Sequence, residues 1–195
     1  MDENLLLPDP RKPGRADAIQ NRRLLLETAR MLFATYGVSE VSMAAIAQAA
    51  NVGKGTLYRH FENKSELCQA LLDQEQRELQ ERTLERLRHV EDPVDNLRWF
   101  ILQVAAFVQE HSEMLCVEVG SEGFGSLEHP AHLWWRQTIR QLLAQLSPPG
   151  DIDYMADVLY VMLDVHTLYF QQTRLGYDMQ QINDGLLQTL LKFLN

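Results

Sequence analysis

The chain has 195 residues, 46% of them apolar and 23% charged, with a formal charge of −9. This is the composition of a globular fold with a buried core, and its longest unbroken apolar run, the six residues Val158 to Leu163, is far short of the ~20 that a membrane-crossing helix needs. Residues 1–30 hold acids, arginines and three prolines but no apolar signal segment, and Cys68 and Cys116 are too few for a disulfide framework, so a reducing, cytoplasmic setting is expected.

The acidic total would argue against nucleic acid as a partner if the charge were evenly spread. It is not. Residues 1–9 carry −3, residues 10–64 carry +5 and residues 65–195 carry −11. Such asymmetry describes a small basic module on an acidic body. Screening confines each face to its own surroundings, about 10 Å at ordinary salt, so a basic face can meet phosphates while the rest of the molecule is acidic.

In chain order, the spacing predicts helices throughout and no strands. Leu25, Ala29, Leu32, Phe33 and Tyr36 form one apolar face, with Gly37 as the stop. Met43 to Ala50 is a short apolar helix, broken by Asn51-Val52-Gly53 before a second helix from Lys54. Asn63 with Glu66 three residues on caps a helix from about Lys64 towards Val90, whose later part is charged nearly all round and should stand partly in solvent. Asp92-Pro93 opens the next helix. The segment from Gly120 to Pro130 reads as a loop, and Pro148-Pro149-Gly150 is a further break. Of the nineteen residues Ile152 to Phe170, fourteen are apolar, with Asp153, Asp157 and Asp164 on one stripe. A helix of that kind is expected to be buried on nearly all sides. Gly176 and Asp178 end it and cap a last amphipathic helix with Ile182, Leu186, Leu190, Leu191 and Leu194. These two helices, about residues 152–194, either bury each other within the chain or form a homodimer seam.

Residues 42–61 carry the most chemistry. Ala47 is small where two crossing helices must approach, and Asn51 tolerates the left-handed conformation that the turn needs. Ile46, Ala50, Val52 and Leu57 would face inward. Lys54, Thr56, Tyr58, Arg59 and His60 would face outward as donors around a phenol ring, which suits a recognition helix in a major groove. An ordinary αα-hairpin would share the inner pattern.

The stretch Leu25 to Leu72 resembles the DNA-binding domain of TetR-type (TetR/AcrR family) transcriptional regulators. The likeness rests on F-x-x-x-G (Phe33 to Gly37), Val41-Ser42, I-A-x-x-A-x-V (Ile46 to Val52), K-G-T-L-Y-R-H-F (Lys54 to Phe61) and N-K-x-E-L (Asn63 to Leu67), in order and at the right spacing. It implies an all-α, mostly repressing regulator that binds a palindromic DNA operator as a homodimer. Its parts would be an arm over 1–17, a three-helix helix-turn-helix domain over 18–64 and a helical effector-binding and dimerisation domain over 65–195, about nine helices in all. The resemblance assigns Ser42 to a helix cap and a phosphate, and places Lys54, Gly55, Thr56, Tyr58 and His60 at DNA-facing positions. Tyr58 and His60 would meet phosphates, Thr56 a phosphate or thymine methyl, and Lys64 a phosphate from the following helix. By their length Lys54, chiefly, and Arg59 are the side chains that would reach base edges. Two positions depart from the family pattern: Ala44 stands where many members are polar, and Gly53 replaces a frequent Ser cap. Arg11, Lys12, Arg15, Arg22 and Arg23 would make a basic arm that either enters a minor groove or stays solvated.

In the body, Trp99, Phe107, Met114, Trp135, Met162, His166 and Phe170 are candidate effector-lining residues, with Glu118 and Asp164 as acids near them in sequence. Aromatic walls with an acid suit an aromatic or cationic small molecule. Other chemistry finds little purchase. His129 and His132 have metal-like spacing but span a proline and lack further ligands. Gly120, Gly123 and Gly125 follow no strand, no nucleophile motif is present, and both thiols read as inert. No catalytic residue, metal or cofactor is expected. The rival readings are a DNA-binding protein of the same fold without an inducer and an all-helical enzyme or carrier.

Overall fold

A computed structural model describes residues 15–118 and 130–194, and the described residues form ten helices. These are α1 (Arg15–Tyr36), α2 (Met43–Ala49), α3 (Lys54–His60), α4 (Lys64–His89), α5 (Pro93–Glu110), α6 (Ser112–Glu118), α7 (Pro130–Leu146), α8 (Ile152–Met162), α9 (Val165–Thr173) and α10 (Met179–Phe193). The chain divides into two compact units between Leu67 and Cys68, within α4. Arg11, Lys12, the glycine loop and His129 lie outside the described residues, as does the side chain of Glu118.

In the first unit α1, α2 and α3 bury Leu25, Ala29, Phe33, Ile46, Ala47, Leu57 and Phe61 against one another. Helix α1 stops where expected: Gly37 takes φ +83° and its N–H donates to the Phe33 carbonyl at 2.9 Å, a left-handed cap that glycine adopts without steric cost. Tyr36, expected on the inner face, is exposed, standing as the last residue of α1, where the helix gives way to Gly37.

The second unit is built around α5. Phe100, Ile101, Val104 and Ala105 are fully buried, and Trp135, Ile139 and Leu143 of α7, Leu159 of α8 and Leu186 of α10 join the same cluster. Asp92 caps α5 through the Val94 N–H at 2.9 Å, with Pro93 in the first turn. The turn from α4 into α5 is held by Arg86, which donates to Asn96 at 3.1 Å and stacks 5.0 Å from the Trp99 ring, while Asn96 donates to the Val90 carbonyl at 2.8 Å. The later part of α4 is exposed along Arg77, Glu78, Glu81, Arg82, Glu85 and Arg88, with Leu79 and Thr83 on its buried side.

The structure corrects the reading of residues 152–170 as one helix. The chain breaks at Leu163-Asp164, and Asp164 caps α9 by accepting from the His166 and Thr167 N–H groups at 3.0 and 3.1 Å. A carboxylate beside the free N–H groups of a helix start offers the backbone an alternative to continuing α8. This adds a helix to the nine expected. Nor is the segment enclosed within the chain: Tyr154, Val161, Tyr169 and Phe170 are each more than half exposed.

The acids of the stripe have a different use. Arg140 donates to Asp153 at 2.5 Å, and Arg136 pairs with Asp157 and lies 3.9 Å from Asp153, joining α7 to α8. The hydrogen bond from Arg140 holds the Asp153 carboxyl below its usual range, with the charges of Arg140 and Arg136 acting in the same direction. Because the folded value is the lower one, this contribution is complete above the ordinary carboxylate range and is lost as pH falls through the folded value. Heat melts across about pH 2 to 7 should show that loss at the acid end, and Asp153→Asn should remove that part of the pH dependence while leaving the melting curve near neutrality slightly lower.

Candidate nucleic-acid interface

Two helices of seven residues each make the candidate site. Segments this short do not hold a helix in water by themselves, so caps and burial must supply what length does not. Ser42 caps α2, accepting from the Ala45 N–H at 3.1 Å. At the other end Asn51 takes φ +52°, the Val52 N–H reaches the Ala47 carbonyl at 2.9 Å and the Asn51 N–H reaches Gln48 at 3.1 Å. This pair of bonds closes the helix and turns the chain at once. Gly53 caps α3 without a side-chain bond. Ala47 and Leu57 are buried where α2 and α3 meet, and Val52, expected inside, is half-buried.

The opposite face of α3 presents Lys54, Gly55, Tyr58 and Arg59 to solvent, with Tyr58 53% exposed. Thr56 and His60 are half-buried at its edges. Arg59 donates to the Thr56 hydroxyl at 2.9 Å, which leaves the Thr56 proton able to donate outward. Burial lowers the His60 pKa, and the Arg22 and Arg59 charges lower it further. At neutral pH it is therefore an uncharged ring with one N–H to give. Nothing lies within 4 Å of where a Cβ at Gly55 would stand, so the fold itself does not require glycine there.

Lys64 starts α4 at the border of this face. Its ammonium donates to the Ser39 carbonyl at 3.3 Å and lies 5.9 Å from the Phe33 ring centre. The predicted cap of α4 is present but shifted: the Glu66 N–H donates to Asn63 at 2.9 Å, while the Glu66 carboxylate accepts from the Glu62 N–H rather than from Asn63. Of the expected basic arm, Arg22 lies in α1 with its guanidinium 5.1 Å from the Phe61 ring centre, and Arg23 pairs with Glu27 at 2.7 Å. Arg15 is the first residue of α1.

One residue was missed from sequence. Gln48 stands exposed beside Ser42 and Lys54 on a shallow concavity floored by Ala44 and Ala45. Its sequence signal is the spacing: Gln48 is four residues after Ala44 and shares its face of α2.

The seven body candidates separate. Phe107 and Trp135 meet edge to face, 5.5 Å between centres, and both line a small cavity of about 20 Å³ with Gln69, Asp73, Gln76 and His132. Met114 and Met162 are half-buried against the core, and Trp99 is covered by Arg86. His166 and Phe170 are exposed on α9. His132 and the Tyr160 hydroxyl are 2.7 Å apart, and burial, aided by Asp164, raises the Tyr160 pKa well above its usual value. Cys68 is buried; burial first, then Asp164 and Glu113, raises the pKa of the Cys116 thiol.

Comparison with known proteins matches residues 25–71 to the model of "Bacterial regulatory proteins, tetR family". An HTH-type transcriptional regulator of Staphylococcus aureus is 52% identical over 54 residues, which cover 28% of this chain and only 29% of that protein. The probable acrEF/envCD operon repressor of Escherichia coli is 28% identical, over 93% of this chain and 90% of its own. A TetR-family transcriptional regulator of Pectobacterium atrosepticum has the same fold at TM-score 0.70 and 21% identity, covering 92% of this chain and 94% of its own. A regulator of Saccharomonospora viridis solved in complex with choline aligns at TM-score 0.65 and 21% identity, over 90% and 96% of the two chains.

Removing the Ser42 hydroxyl should unseat α2 without touching its inner face. Ser42→Ala is expected to lower stability by about 1 kcal/mol in urea unfolding, and Ser42→Asp, which can still accept from the Ala45 N–H, to restore most of it.

Proposed function

Because the chain belongs to the tetR family of bacterial regulatory proteins and is a DNA-binding transcriptional regulator, we propose that it is a repressor released from a palindromic operator by a small molecule. The observation that carries this reading is the outward face of α3, where Lys54, Gly55, Tyr58 and Arg59 are exposed and Thr56 and His60 half-buried at the edges, while Leu57 is buried. Lys54, Tyr58, His60 and Lys64 hold phosphates; Arg59, braced on Thr56, and Gln48 reach base edges in the groove. Phosphate contacts supply affinity and its salt dependence, and base-edge contacts supply sequence choice.

A palindrome needs two heads. The homodimer seam runs over α8, α9 and α10, where Tyr154, Val161, Tyr169, Phe170 and Leu191 are exposed and would be covered by the second copy. The effector enters the second unit and shifts the population between two arrangements of the heads. The choline-bound neighbour and the repressor relative support this part of the reading.

One observation favours a second reading, a regulator of the same fold without an inducer: the cavity beside Trp135 measures about 20 Å³, room for one water-sized group. Enrichment of random duplexes on the purified protein, followed by a compound screen for release of the winning duplex, separates the two. A symmetric site and a releasing compound are expected; an asymmetric site, or no release by any compound, sinks the corresponding part.

The contact roles make a sharper prediction. Lys64→Ala should weaken binding to operator and random duplex alike and flatten the slope of log K against log salt by about 0.9, one phosphate's worth of released counterion. Tyr58→Phe, which removes an uncharged donor, should weaken both duplexes and leave that slope unchanged. Titrations at four salt concentrations decide it.

A further inference from the structure

The amide of Gln76 is set by its neighbour. The Trp135 indole N–H can only donate, and it lies 3.0 Å from Gln76 Oε1. The carbonyl end of the amide must therefore face Trp135, which turns Nε2 and its two protons the other way. Gln76 is 6% exposed, and Nε2 is buried with no acceptor among the described residues. Leaving such a donor without an acceptor costs free energy that an arriving oxygen would recover.

Gln76 lines the small cavity, and so does Asp73, one helical turn earlier on α4. Gln69 donates to Asp73 at 3.3 Å, so this side of the cavity is a polar stripe along one face of α4. Across from it are Phe107, His132 and Trp135, with 4.8 Å between the last two ring centres. One wall thus carries the Gln76 amide and a carboxylate, and the other carries rings.

We propose that this corner selects a hydroxyl group carried on a small aromatic ring, an inference that rests on the effector reading above and names the chemistry of its ligand. The hydroxyl oxygen accepts from Gln76 Nε2 and the hydroxyl proton goes to the Asp73 carboxylate. A volume of about 20 Å³ matches that one group; the ring lies against Phe107 and Trp135 once Leu72 and Leu115 give way. A quaternary ammonium satisfies Asp73 but leaves the Gln76 donor without an acceptor and sets a cation against its protons. A bare hydrocarbon leaves the Gln76 donor unmet.

Phenol, toluene and phenyltrimethylammonium present the same ring with the three head groups. Titrated into the full-length ¹⁵N-labelled protein without DNA, phenol is expected to bind at least tenfold more tightly than the other two and to move the Gln76 side-chain amide resonance. That resonance is assigned by its absence from Gln76→Glu, which keeps an acceptor for Trp135, or from Gln76→Met, and either substitution should erase most of phenol's advantage. Equal binding of toluene, tighter binding of the ammonium, no binding of phenol, or phenol binding that leaves the Gln76 amide unmoved overturns the inference. A parallel arm follows release of a duplex enriched from random sequence. Phenol that binds through Gln76 while no compound of any class releases the duplex overturns the effector reading and upholds the chemistry. A duplex released by another compound, with phenol inert at Gln76, does the reverse.

Discussion

Seven residues are too few to make a helix in water, and the face proposed to meet DNA stands on a helix of that length. Its existence depends on Leu57 being buried and on α2 arriving at the right angle, which in turn depends on the left-handed turn at Asn51. Those conditions make the outward residues a consequence of the inward ones. The side chains free to contact a groove are the ones that packing does not use. A change at Ala47 or Leu57 would therefore act on DNA recognition without approaching it, by moving the helix that carries Lys54 and Tyr58.

The second unit solves a different problem. Its central helix α5 is covered along most of its length, so polar groups near it must find partners inside the protein. Asn96 does so through Arg86 and the Val90 carbonyl, and His132 does so through Tyr160. Gln76 does so with only half of its amide. Among the described residues two buried side-chain atoms are left without a partner, Asn183 Oδ1 and Gln76 Nε2, and the second lies beside the aromatic rings.

Much of this was legible in the residues. Gly37, Asn51, Asn63, Asp92 and Asp178 are local signals, each acting within a turn of its own position, and the helix ends they predict are where the structure has them. The charge pattern and the outward set on α3 were legible for the same reason. Asp164 is ambiguous in sequence because periodicity over 152–170 gives a carboxylate on a stripe and a carboxylate capping a new helix the same spacing. Tyr36 and Phe170 were assigned by hydrophobicity, which says that a side chain prefers cover and not whether the chain itself supplies it. The cavity leaves no such signal, since Gln69, Asp73 and Gln76 gain their setting only where α7 brings Trp135 to Gln76. Long-range meetings of that kind leave no mark on local spacing.

The bond between Trp135 and Gln76 has an optical consequence. Trp135 is 2% exposed, its indole N–H is committed to a single acceptor, and its ring edges the cavity. Indole emission responds to the polarity and hydrogen bonding of its surroundings, so this residue should emit to the blue side of the half-buried Trp99 and Trp134. The chain therefore carries a built-in chromophore at the corner where occupancy would be felt first, one that needs no label and reports in the intact protein.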